Sequence, residues 1–279
     1  PAVKESALWL KSQGFEVDIV PVDEKGFVDV EALADLIRPD TTLVSIMAVN
    51  NEIGSIQPIE AISKLLVDKP TISFHVDAVQ ALAKIPTEKY LTDRVDFATF
   101  SSHKFHGVRG VGFVYIKSGK RIMPLLTGGG QEGDYRSTTE NVAGIAATAK
   151  ALRLSMEKLA IFASKTGQMK AVIRQALLDY PDIFVFSDEE DFAPHILTFG
   201  IKGVRGEVIV HAFEDYDIFI STTSACSSKA GKPAGTLIAM GVDKDKAQSA
   251  VRLSLDLEND MGQVEQFLTK LKLIYNQTR

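Results

Sequence analysis

The feature that most constrains the fold of this chain is a pattern repeated through its first half: short apolar runs that end abruptly in polar residues, separated by segments with helical spacing. "TTLVSIMAV" runs into the loop "NNEIGSIQP", "TISFHVDAV" into Gln80, and "VDFATFSS" into His103 and Lys104. Between and before them lie "VKESALWLKSQ", "VDVEALADLI" (stopped by Pro39) and "IEAISKLLVD", whose apolar residues recur at helical intervals, and "FEVDIVPV", which alternates as a strand does. Strands alternating with helices imply an α/β architecture, a mainly parallel sheet flanked by helices. In such sheets ligands collect beyond the carboxyl ends of the strands. That rule gathers Asn50, Asn51, Asp77, Gln80, Ser101, Ser102, His103 and Lys104 as candidate binding residues.

The texture changes after "GGGQEGDYRSTTENV" and the Gly-punctuated strand "VGFVYI" before it. A helix-rich stretch from about Val142 to Leu178 leads into "DIFVFSD", "HILTFGI", the helix "GEVIVHAFE", the strand "DIFIST", a Ser/Thr/Gly/Lys-rich loop and a closing helix near "QVEQFLTKLKLIY". This reads as a larger domain over residues 1–150 and a smaller α+β C-terminal domain over 151–279. The sequence begins at Pro1, already inside a helical pattern, as though an upstream portion were absent.

Charge and composition exclude several classes of function. A formal net charge of −5, with basic residues interspersed among acids, supplies no field for nucleic acid or an anionic membrane. No apolar run approaches the roughly 20 residues of a membrane span, and no leader-like segment opens the chain. The expected location is cytoplasmic. A single cysteine, Cys226, excludes an internal disulfide.

Lys104 sits between His103 and His106 at the end of an apolar run, where an ammonium kept only for solubility would not be placed. Asp77 likewise follows apolar strand residues, where an unpaired carboxylate is costly, so it needs a cation or strong donor. One reading of Asp77 is structural, a buried acid paired with a nearby lysine or main-chain group. The other is a carboxylate held against the protonated ring nitrogen of pyridoxal phosphate, which demands a lysine on the same face of the sheet, and Lys104 meets that demand. Desolvation lowers a lysine's pKa and keeps the amine nucleophilic.

Other motifs are weaker alone. His103 and His106 have no carboxylate or cysteine at ligand spacing, so no metal is expected, and His106, His195 and His211 read as structural. "GVRGVG" precedes a strand where a dinucleotide loop precedes a helix, and is rejected. "TGGGQEGDYRSTTEN" offers main-chain donors and the Thr139 hydroxyl to a phosphate. Cys226 lies among serines with Lys229 and Lys232 nearby, a setting that favours a thiolate. Arg252 stands within the apolar run "SAVRLSL", where a guanidinium needs an anion and a substrate carboxylate would serve.

Taken in order, "VNNEIG", "HVDAVQ", "SSHK", "GGGQE", "RSTTEN", "SACSS" and "VRLSL" resemble the cysteine desulfurases, fold-type I pyridoxal-phosphate enzymes of the class-V aminotransferase group, along essentially the whole chain. The resemblance implies removal of sulfur from L-cysteine, leaving L-alanine and a persulfide on Cys226. It makes Lys104 the Schiff-base lysine, Asp77 the pyridinium partner, Gln80 and Asn51 the residues bonding the ring oxygen, and Ser101 and His103 phosphate ligands. Thr139 would reach the phosphate of a neighbouring subunit in a homodimer, and Arg252 would bind the substrate carboxylate. A sulfur-acceptor protein is implied as partner, a sulfurtransferase or cluster scaffold serving tRNA thiolation, thiamine or iron–sulfur cluster synthesis. The family's upstream phosphate loop and ring-stacking histidine are missing from this sequence, so residues 1–150 are expected to form only part of the cofactor-binding domain of an N-terminally truncated member; separately, Thr138 stands where the family has glycine, a departure that bears on the phosphate loop or the dimer contact. A selenocysteine lyase on the same scaffold and an inactive interaction module are the competing expectations.

Overall fold

The computed structural model describes residues 2–188, 190–223 and 235–278. In chain order its elements are α1 (Ala2–Ser12), α2 (Val30–Leu36), β1 (Leu43–Met47), α3 (Ile59–Leu66), β2 (Ser73–Asp77), β3 (Phe97–Ser101), β4 (Gly112–Ile116), α4 (Val142–Glu157) and α5 (Leu159–Leu178). There follow β5 (Ile183–Val185), β6 (Ile196–Ile201), α6 (Gly206–Glu214), β7 (Ser221–Thr222), α7 (Gly235–Ala239), α8 (Lys244–Gln248), β8 (Val251–Ser254) and α9 (Met261–Gln277).

Two compact units divide the chain, one made of Pro39–Ala48 and Ile59–Leu159, the other of Pro1–Arg38, Val49–Pro58 and Ala160–Arg279. This grouping differs from a single cut near residue 150. The extended segment after α1 belongs with the C-terminal unit because Val22 and Phe27 pack on a core of Ile53, Phe192, Leu237 and Met240, with Phe27 edge-on to Phe192 at 5.5 Å between centroids.

In the first unit β1, β2 and β3 run parallel and β4 returns antiparallel, in the order β1-β2-β3-β4. Alternation decides its two faces. Val44, Ile46, Phe74, Val76, Ala98 and Phe100 point one way and are buried, while Ser45, His75, Asp77, Thr99 and Ser101 point the other and are half-buried. The ladder is further held by Asp96, which is 2% exposed. Its Oδ2 accepts from the Phe74 N–H at 2.9 Å and from Arg94 Nη1 at 2.7 Å, and Lys120 approaches Oδ1 at 3.3 Å. Burial pushes this carboxyl up, but the Phe74, Arg94 and Lys120 donors outweigh it and hold the group below the usual aspartate value.

In the second unit an antiparallel sheet of order β5-β6-β8-β7 has α5, α6 and α9 contributing to one apolar core. Phe213 stacks on Phe267 at 4.9 Å, and every residue of β6 is buried, its one polar side chain being Thr198. Asp260 and Gln263 form a reciprocal capping box that starts α9.

One local expectation changes. "FEVDIVPV" forms no strand; it makes one isolated bridge, Val22 to Val28, and Pro21 has no N–H to give a ladder. The helix-rich stretch from Val142 to Leu178 forms as expected, as two helices separated at Lys158, where φ −102° and ψ 2° are not helical.

Candidate active site

The first unit presents a polar face at the carboxyl ends of β2 and β3. Asp77 is the last residue of β2, half-buried, with Oδ1 accepting the Val79 N–H at 3.1 Å. Gln80 lies half-buried in the turn that follows. Ser101 ends β3 on the same face, and its strand neighbour Thr99 is the main-chain partner of Asp77.

Directly after Ser101 the chain closes into a short 3-10 turn, Ser102–Phe105. The Gly107 N–H and the His106 N–H both return to the Ser102 carbonyl, and His106 takes the left-handed conformation (φ 64°) that this closure requires. Gly107 has no room for a side chain, since a Cβ there would lie 1.9 Å from Ser102 Oγ. Phe105 is buried and meets Phe113 edge-on at 6.5 Å, so the turn is pinned at both ends while Lys104 is held half-buried between exposed His103 and buried Phe105. α4 braces the turn from behind, with Ser155 Oγ donating to the Phe105 carbonyl at 3.1 Å.

Ser102 differs from its sequence-based reading as a cofactor contact. Its side chain is fully buried and turned from the polar face to α4. Because Thr148 donates its hydroxyl to the Gly144 carbonyl, Ser102 must be the donor in the 2.9 Å Ser102–Thr148 bond, and its hydroxyl is used up in the fold. Thr139 is exposed on the loop before α4, whose N-terminus is capped by Asn141.

The second unit carries the remaining candidates. Asn50 Oδ1 accepts the N–H groups of Glu52 and Ile53 at 2.8 and 3.0 Å, which sets a tight turn with half-buried Asn51 at its tip. Three successive carbonyls of the turn are held by side chains: Asn51 by Arg252 Nη1 at 2.7 Å, Glu52 by Thr198 Oγ1 at 2.5 Å and Ile53 by Ser187 Oγ at 2.5 Å. Arg252 lies half-buried on β8, between Thr198 of β6 and Ser221 of β7 in the ladder. Cys226 lies outside the described residues.

Sequence reasoning missed two groups. His75 faces the same way as Asp77, and the period of two in "SFHVD" announces it. Asp96 was absorbed into an apolar run, although Arg94 two residues earlier signals its partner. Among the described residues no cluster of three His, Cys, Asp or Glu side chains gathers as a metal site would need.

A family profile for class-V aminotransferases matches residues 3–267, nearly the full length of the sequence. The chain belongs to the class-V aminotransferase family. It is 51% identical over 267 residues to a NifS/IcsS protein homolog of Lactobacillus delbrueckii subsp. bulgaricus, covering 95% of this chain and 69% of that protein. It is 37% identical to the cysteine desulfurase IscS of Clostridium botulinum, covering 100% of this chain and 70% of the relative. A solved NifS-like protein superposes with a TM-score of 0.90 at 38% identity over 99% of this chain and 72% of that one. The fold is therefore that of the fold-type I pyridoxal-phosphate enzymes, and members of this family use that cofactor.

The residues of the polar face suit such a group by their chemistry. They offer a half-buried carboxylate for a ring nitrogen, an amine on the turn after β3 for a carbonyl, and the Ser101 hydroxyl, on a sheet whose opposite face is apolar.

Proposed function

We propose that this chain catalyses cysteine desulfuration: L-cysteine gives L-alanine, and the sulfur atom is retained as a persulfide on Cys226 for an acceptor protein. The observation that carries the reading is the position of Asp77 at the end of β2 and of Lys104 on the turn that directly follows β3, its parallel neighbour, with Ser45, His75, Thr99 and Ser101 on the Asp77 face.

Pyridoxal phosphate, when bound, supplies an electron sink for the pair released as the substrate Cα–H bond breaks. Asp77, its Oδ1 oriented by the Val79 N–H, would keep the ring nitrogen protonated. Lys104 is the residue that would hold the cofactor's carbonyl carbon, and its amine would move the proton at the substrate carbons. Asn51 and Gln80 are the residues that would bond the ring oxygen, and Ser101 and His103 those that would bond the phosphate. Arg252 clamps the substrate carboxylate. The Cys226 thiolate attacks the substrate sulfur, so that one carbon–sulfur bond breaks, one sulfur–sulfur bond forms, and the substrate β-carbon gains a proton.

The exposed position of Thr139 suits a residue that reaches the phosphate site of a second copy. Among the described residues no helix is long and apolar enough to cross a membrane, and a sequence with a single cysteine accords with a cytoplasmic location. The test is to incubate the chain with pyridoxal phosphate and L-cysteine, quantify L-alanine, and trap the persulfide with a thiol-reactive tag. Alanine formed with a tag on Cys226, and no tag in Cys226→Ser, is the expected result. No alanine above a Lys104→Ala control overturns the reading for this chain.

A further inference from the structure

On β2 the imidazole of His75 reaches sideways in both directions. Its Nδ1 lies 2.7 Å from Ser45 Oγ on β1, and its Nε2 lies 3.1 Å from Thr99 Oγ1 on β3. One ring thus spans all three parallel strands on the polar face. Both contacts fall beside Asp77: Ser45 lies two residues before Met47, which pairs with Asp77 across the β1 ladder, and Thr99 pairs with Asp77 across the β3 ladder.

A neutral imidazole has one donor and one acceptor nitrogen, and a hydroxyl on each side takes whichever role the tautomer leaves. Burial pushes His75 below the ordinary histidine value, with Asp77 pulling weakly the other way, so the ring is neutral at neutral pH and does not draw the Asp77 charge into an ion pair. The neighbouring strands offer Ser45 and Thr99 to the ring, and neither titrates. Packing alone asks for none of this, because an apolar side chain would fill the same place.

We propose that His75 is a positioning residue for Asp77: by tying Ser45 and Thr99 to either side of β2, it fixes the strand end from which the carboxylate meets the cofactor's ring nitrogen. This rests on the pyridoxal-phosphate reading above, and the test has an arm that does not.

In the cofactor-free chain, hydrogen exchange of the Val79 amide reports the placement of Asp77, whose Oδ1 it serves. His75→Phe is expected to speed exchange at Val79 about tenfold, the equivalent of one lost hydrogen bond, while amides of α3 are unchanged. His75→Gln, which keeps a donor and an acceptor, is expected to restore part of the protection. With pyridoxal phosphate labelled with 15N in its ring, the nitrogen resonance in His75→Phe is expected to move toward that of Asp77→Asn. Unchanged Val79 exchange overturns the proposal, as does an unmoved ring resonance in a chain that binds the cofactor. Faster exchange at Val79 in a chain that takes no cofactor sustains the tether and overturns the cofactor reading instead. Acceleration spread evenly over β1–β3 and α3 marks a purely structural role and also overturns the proposal.

Discussion

Arg252 and Asn51 are joined directly, the guanidinium donating through Nη1 to the main-chain carbonyl of Asn51 at 2.7 Å. The arginine assigned to the substrate carboxylate therefore also holds the turn whose side chain is assigned to the cofactor's ring oxygen. Lysine has no second arm for such a double task. Arg252→Lys in the cofactor-loaded chain is expected to lower kcat/KM for L-cysteine on the order of 100-fold, mostly through KM. Steady-state kinetics check this, and an unchanged KM contradicts it.

Gly107 is required by the closure of the lysine turn. In Gly107→Ala the new Cβ meets Ser102 Oγ, which cannot swing away without abandoning Thr148. A loss of about 1–3 kcal/mol is expected from this overpacking. Ser102→Ala removes the closest atom, so the double variant is expected to be more stable than the sum of the single changes. Denaturant titration of the four proteins measures the coupling.

Asp96 is the ionic staple of the β1–β4 sheet. Asp96→Ala leaves Arg94 without its carboxylate and is expected to destabilise this unit by about 3 kcal/mol. Because its folded value lies below the unfolded one, its contribution is present above about pH 4 and is lost as pH falls through the folded value. The gap between parent and Asp96→Ala should therefore narrow in urea melts carried out in strong acid.

His75 works with the opposite charge logic. Its folded value is depressed by burial, so just below about pH 6.5 the unfolded chain binds a proton that the folded chain refuses, and stability falls as pH drops through that value. The slope ends once the folded imidazole also protonates. His75→Asn is expected to show a shallower fall between pH 7 and 5 than the parent, measured by thermal melts across that range.

Much of this was legible because two simple periods govern it. The apolar runs with polar ends mark β1, β2 and β3, and the ordered motifs name Asp77, Lys104, Asn51 and Arg252 as candidates. What escaped depends on partners distant in sequence. "FEVDIVPV" has the alternation of a strand but no neighbour to ladder with beyond Val28, a fact that its own residues do not contain. Ser102 shares a motif with Lys104, yet its hydroxyl is directed by Thr148, 46 positions away. The grouping of residues 1–38 with the C-terminal unit follows from Val22 and Phe27 reaching Leu237 and Met240, contacts that no local pattern encodes.

The central claim is that Lys104, held half-buried by the turn after β3, is placed to be covalently occupied. The direct measurement is to add pyridoxal phosphate to the chain, reduce with borohydride, and map the modified residue by mass spectrometry. The account predicts label concentrated on Lys104 and lost in Lys104→Ala. Label scattered over exposed lysines, or none at all, would contradict it.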